Sequence, residues 1–159
     1  IGVSTAKGIC YAHNIPLISI PTLDAMAFEM SKFNTQQSNN VFYLPMIDAR
    51  RMEVYTAIYN NNLECVKPVH AAIIEDDYFD SLKANFNYYV AGNGAEKTKS
   101  INSNKSNLFY INENVHSSIA VAQLAFTKLK NSIFESSAYF EPFYLKDFIP
   151  GVSKVKGLK

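Results

Sequence analysis

Val41, Phe42, Tyr43 and Leu44 open an almost continuous apolar run. A polar knot follows at Asp48, Ala49, Arg50 and Arg51, and alternation resumes at Glu53. Val54, Thr56 and Ile58 then share one face, with Tyr55, Ala57 and Tyr59 on the other. Two β-rich runs around a short polar turn predict a hairpin over residues 41–59. The first run predicts a central strand covered on both faces.

Upstream, residues 1–13 read as a helix crowded with small residues, among them Gly2, Ser4, Ala6, Gly8 and Ala12. Each glycine costs a helix roughly 1 kcal/mol against alanine. Two of them imply that another backbone comes close, from within the fold or from a partner. Asn14 suits a C-terminal stop, and residues 15–20 (IPLISI) read as a short buried strand. Thr22 is the expected N-cap of the next helix, with Asp24 favourable in its first turn. Leu23, Met26, Ala27 and Met30 recur at helical spacing. The uniformly polar residues 34–40 read as a linker between lobes.

Downstream, Asn60, Asn61 and Asn62 predict a tight turn. Residues 63–72 predict a third strand, in which Pro68 implies an edge or a bulge. Residues 75–84 read as a short helix with Phe79 and Leu82 inward, and residues 88–91 as a buried strand. That strand runs into Gly92, Asn93, Gly94, Ala95 and a short helical stretch. A Ser/Asn/Lys loop (99–107) and a brief strand (109–111) follow. Ser117 or Ser118 caps an amphipathic helix whose stripe is Ile119, Ala122, Phe126 and Leu129. Residues 139–145 (YFEPFYL) read as an extended aromatic segment over an apolar surface. The tail beyond carries Lys146, Lys154, Lys156 and Lys159 and reads as solvated. Strands first and alternation later predict an α/β lobe with a mixed sheet.

Composition narrows the function. The chain has 159 residues, 48% of them apolar and 18% charged, which suits a packed core. A net charge of +1 gives no compositional case for nucleic acid or membrane binding, and leaves room for a local basic patch. Without a secretory signal or an apolar run near 18 residues, a soluble cytoplasmic protein is the expectation. Cys10 and Cys65 read as reduced core thiols. The chain opens on Ile-Gly-Val-Ser-Thr with no Met and no cap, which reads as a protein entered partway through.

Candidate chemistry is sparse. His13, His70 and His116 are scattered without metal-ligand spacing, so no metal site is expected. No Gly-x-Ser-x-Gly elbow is present, and Ser19 and Cys65 fall mid-strand. The Gly92-Asn93-Gly94 turn could offer N–H groups to an anion or be structural. At the hairpin tip, Asp48, Arg50, Arg51 and Glu53 form either an internal salt-bridged turn or a contact for a partner or RNA phosphate.

Five pieces in order resemble one family: IGVSTAKGICYA, IPLISIPTLDAMA, MIDARRMEVYTAIY, VAGNGAEK and FEPFYLK. They look like the TsaB (YeaZ) family of bacterial tRNA threonylcarbamoyladenosine biosynthesis proteins. The resemblance implies a two-lobed acetate kinase, sugar kinase, Hsp70 and actin-like (ribonuclease H-like) fold with the first lobe incomplete. Residues 1–32 would be the remainder of that lobe, residues 41–145 the second lobe, and 146–159 a basic tail. It implies a non-catalytic scaffold or activator that binds the transferase TsaD, with TsaE joining and tRNA reached through the complex. By the same resemblance the complex uses ATP, and this chain alone binds no cofactor. The pairing surface would be the first helix, which assigns partner contacts to Ile1, Gly2, Thr5, Ala6, Gly8, Ile9 and Ala12. Asp48, Arg50, Glu53, Tyr55, Gly92, Asn93 and Gly94 would be structural family motifs. A homodimer is a further option. The alternatives are an actin-like ATPase or kinase-like enzyme, a glycoprotease-type activity, and a direct RNA-binding module.

Overall fold

The computed structural model describes residues 1–34, 40–101 and 105–146. Most of the polar linker, part of the 99–107 loop and the tail beyond Lys146 lie outside the described residues. Two helices come first, α1 (Gly2–His13) and α2 (Thr22–Ser31). They are followed by β1 (Val41–Asp48), β2 (Glu53–Asn60), β3 (Cys65–Ile73), β4 (Asn87–Ala91), α3 (Glu96–Lys99), β5 (Leu108–Tyr110) and α4 (Ser118–Lys130). The strands form one mixed sheet in the order β3-β2-β1-β4-β5. β1 pairs antiparallel with β2 and parallel with β4, and so occupies the centre that its continuous apolar run predicts.

Both faces of the sheet are covered. On one, Leu23, Met26, Ala27 and Met30 of α2 pack on Val41, Tyr43, Ala57 and Tyr59. On the other, Leu44, Met46, Val54 and Val90 pack with Phe79, Ile74 and Leu108. Parallel register places Tyr43 beside Tyr89 and Tyr89 beside Phe109, with ring centroids 6.1 and 5.3 Å apart. Such cross-strand aromatic pairs add roughly 0.5–1.5 kcal/mol each beyond their burial. β3 is an edge strand, as Pro68 implies, and its register with β2 shifts between Thr56 and Tyr59.

Several expectations are corrected. Residues 15–20 form no sheet strand: Leu17 makes a single bridge to Glu135, and Ile15 is exposed. Apolar content alone does not make a strand where one coil residue is its described partner. The cap of α2 falls one residue earlier, at Pro21, whose extended ψ of 137° breaks the chain while Thr22 is already helical. Residues 75–84 form successive turns, closed by Tyr78 N–H to Glu75 O and Leu82 N–H to Phe79 O. Lys105 Nζ adds a second donor to Phe79 O (3.0 Å) and pairs with Asp80. Phe79 is still buried, as its position predicts.

Ser117 caps α4 as expected, accepting from Ala120 N–H. The apolar stripe of α4, however, faces outward: Ile119, Phe126 and Leu129 are exposed, and Ala120 is the helix's one fully buried residue. The amphipathic pattern marks a stripe without fixing what covers it. In the 139–145 segment, Tyr139, Phe143 and Tyr144 are likewise exposed. The thiols are free but not core, Cys65 being exposed on the edge strand and Cys10 half-buried.

The glycines are most tightly confined where β4 turns back over β1. Gly92 has φ +103°, and a Cβ there would sit 2.3 Å from Met46 O. A Cβ on Gly94 would lie 2.9 Å from Ile47 C and from Val54 Cγ1. Gly8, by contrast, has nothing within 4 Å. Gly92→Ala or Gly94→Ala is therefore expected to lower unfolding free energy by about 1–3 kcal/mol. Gly8→Ala should raise it by roughly 0.5–1 kcal/mol. Urea denaturation of the three variants checks this order, and equal losses at Gly8 and Gly94 would refute it.

Candidate partner surface and hairpin tip

α1 carries the residues assigned to partner contact. None of its residues is buried, and Ile1, Gly2, Thr5, Gly8, Ile9 and Ala12 are exposed, with Ala6 half-buried. Neither Gly2 nor Gly8 has a neighbouring atom within 4 Å of a built Cβ, so no close approach inside the fold accounts for them. The helix ends at Asn14, whose φ of 50° places it in the left-handed region and whose N–H returns to Tyr11 O. Asparagine tolerates that conformation, which is why it stops the helix. Lys7 anchors α1 by donating to Ala138 O (3.0 Å) and Phe140 O (2.9 Å).

The second feature is the hairpin tip. Here the structure gathers Asp48, Glu53, Asn93 and Gly94 and adds Lys97, which the sequence reading missed. Lys97 Nζ donates to Asp48 Oδ1 (2.6 Å) and to Glu53 O (2.9 Å), while Asn93 Oδ1 accepts from Asp48 N–H (2.9 Å). Glu53 pairs with Lys146 at 2.5 Å. Of the two readings of the tip, the internal salt-bridged turn is corrected in its partners: both acids are taken by lysines brought from elsewhere. Separations of 49 and 93 residues leave no local signal for these pairs. Arg50 and Arg51 stay exposed, without an ion pair among the described residues. Their φ values of 68° and 46° lie in the left-handed region.

The glycine turn is engaged in packing. Gly94 N–H donates to Met46 O (3.1 Å) and Ala95 N–H to Gly92 O (3.1 Å). Those two donors are spent inside the fold, which gives the turn a structural role. A polar cavity of about 250 Å³ lies beside it, lined by Asn93, Lys99, Asn112 and His116 among others. Tyr55 is placed apart from the tip, in a larger apolar cavity of about 810 Å³. That cavity lies between Ile47, Tyr55 and Tyr59 of the sheet, the 19–24 segment and Phe140, Pro142 and Phe143. At its side, Tyr59 O–H donates to Asp24 Oδ1 (2.6 Å), joining β2 to the first turn of α2. Burial, and then this bond, push the Tyr59 hydroxyl far above its ordinary value, so it remains a donor. Among the described residues no three His, Cys, Asp or Glu side chains gather as metal ligands, and no helix is long and apolar enough to cross a membrane.

The chain belongs to the family described as TsaD, tRNA N6-adenosine threonylcarbamoyltransferase, whose family model matches residues 1–155. No curated protein matches it. Among solved structures it is similar to YeaZ from Pseudomonas aeruginosa, with TM-score 0.65 and 16% identity over 90% of this chain. A second, described as an uncharacterized protein with similarity to peptidase YeaZ from the same organism, gives TM-score 0.62 and 17% identity over 91%. The chain spans 66% of the length of each. The mixed α/β sheet is therefore that of the YeaZ fold, in agreement with the resemblance carried by the motifs.

The Lys97 hydrogen bond, helped by the Arg50 N–H, holds the Asp48 carboxyl below the usual carboxylate range. A lowered folded value means the contribution to stability is present above the unfolded carboxylate's pKa. It is lost as pH falls through Asp48's own lower value. Lys97→Met should move the Asp48 midpoint, read by carboxyl 13C NMR, up toward the ordinary range. An unmoved midpoint would show that Lys97 is not the cause.

Proposed function

We propose that this chain is a non-catalytic scaffold or activator subunit of the complex that installs threonylcarbamoyl on the adenosine next to the tRNA anticodon. It acts in the cytoplasm by binding the TsaD transferase through α1. TsaE joins the assembly, tRNA is reached through the complex, and the complex uses ATP. The observation that carries the reading is α1 itself. It is a twelve-residue helix with no buried residue, and its two glycines meet nothing inside the fold. Keeping them costs the isolated helix roughly 1 kcal/mol each, a cost that a close-packed partner helix would offset. The family match and the YeaZ-like fold support the same reading.

The test is co-purification of the full-length protein with TsaD. Co-elution is expected for the native sequence. Gly8→Arg should weaken it at least tenfold (about 1.4 kcal/mol) while the melting temperature stays level or rises, since arginine favours a helix over glycine. Absence of co-elution with the native protein would contradict the reading. Undiminished binding by Gly8→Arg would move the surface away from α1.

A further inference from the structure

We propose that the β1–β2 tip is an RNA phosphodiester contact in which Arg50 and Arg51 each meet one backbone phosphate. The choice of RNA as the polyanion rests on the tRNA-linked reading above; the geometry of the tip does not. Two carboxylates lie within five residues of these arginines, close enough in sequence to neutralise them. Instead Lys97 takes Asp48 and Lys146 takes Glu53. Among the described residues four cationic side chains meet two carboxylates there, and the surplus is the exposed arginine pair.

The backbone adds an independent sign. Both arginines sit at positive φ, where an L-residue with a Cβ costs about 1–2 kcal/mol and glycine or asparagine would be favoured. The turn holds them there through Arg50 N–H to Asp48 Oδ1 (2.6 Å) and Ala49 N–H to Glu53 O (3.1 Å). Strained residues whose exposed side chains have no ion pair among the described residues, held on a pinned turn, suit a requirement for guanidinium at that place. A protein hot spot would bury such an arginine in a desolvated pocket. Neither arginine lines either cavity. Phosphate contacts, which position a nucleic acid without a pocket, are met by exposed forks of this kind.

The experiment measures binding of the full-length protein to an in vitro transcribed tRNA between 50 and 200 mM KCl. The two arginines should account for about a tenfold loss of affinity over that range, with a share of roughly 0.7–0.9 in the logarithmic salt slope each. Arg50→Asn and Arg51→Gly should each remove that share of slope and lower affinity several-fold at 50 mM, while thermal stability stays level or rises. Slope and affinity unchanged in both variants would overturn the proposal, as would absence of binding at 50 mM. Equal displacement of the tRNA by poly-glutamate would also overturn it, assigning the tip to acidic protein surfaces. Co-elution with TsaD is read separately. Absence of tRNA binding by the native protein with co-elution intact sinks this proposal alone, and tRNA binding without co-elution sinks only the scaffold reading.

Discussion

The sheet depends on one close approach, that of the Gly92–Asn93–Gly94 turn onto the end of β1. A parallel partner cannot be reached by a hairpin, so β4 must arrive after a long excursion and then leave over the strand it has joined. It does so with Gly94 N–H on Met46 O, and with Gly92 where any Cβ would overlap that same carbonyl. Asn93 then caps the last paired residue of β1 by accepting from Asp48 N–H, and α3 delivers Lys97 to the Asp48 carboxylate. One turn therefore sets the strand crossing, closes the hairpin tip and directs which charges meet there. Two glycines that resemble an anion cradle in sequence are explained by contact distance instead.

What could be read from the sequence follows this division between local and distant causes. The hairpin, the central position of β1, the edge character of β3 and the core face of α2 all follow from periodicity and proline placement. Their warrants lie within a few residues of each other. The failures share the opposite cause. Residues 15–20 look like a strand, but pairing needs neighbours, and the described one is a single coil residue, Glu135. Residues 75–84 look helical, but they close as successive turns, to which Lys105 from another loop adds bonds at Phe79 O and Asp80. The stripe of α4 was legible as a stripe, while its outward aspect depends on how α4 meets α2. At the tip, the lysines that replace the arginines as partners of Asp48 and Glu53 come from distant segments.

The same distinction sorts function from structure. Gly92 and Gly94 are tightly confined, and substitution there is a matter of stability. Gly2 and Gly8 are open, and Arg50 and Arg51 occupy conformations that cost the free chain something. These positions yield nothing evident to the fold that holds them. They lie on an unburied helix and an exposed turn, in a chain whose family is defined by a tRNA modification. On the proposed reading labour is divided, with the sheet as frame, α1 as the surface offered to a protein partner, and the hairpin tip as a charged outpost.

Hydrogen–deuterium exchange on the full-length protein, with and without TsaD, tests this division most directly. The account predicts new protection concentrated in residues 2–13, with the hairpin amides, already bonded within the sheet, unchanged. Protection appearing around the apolar cavity of Tyr55 and Tyr59 instead, with residues 2–13 still exchanging as in the free protein, would contradict it.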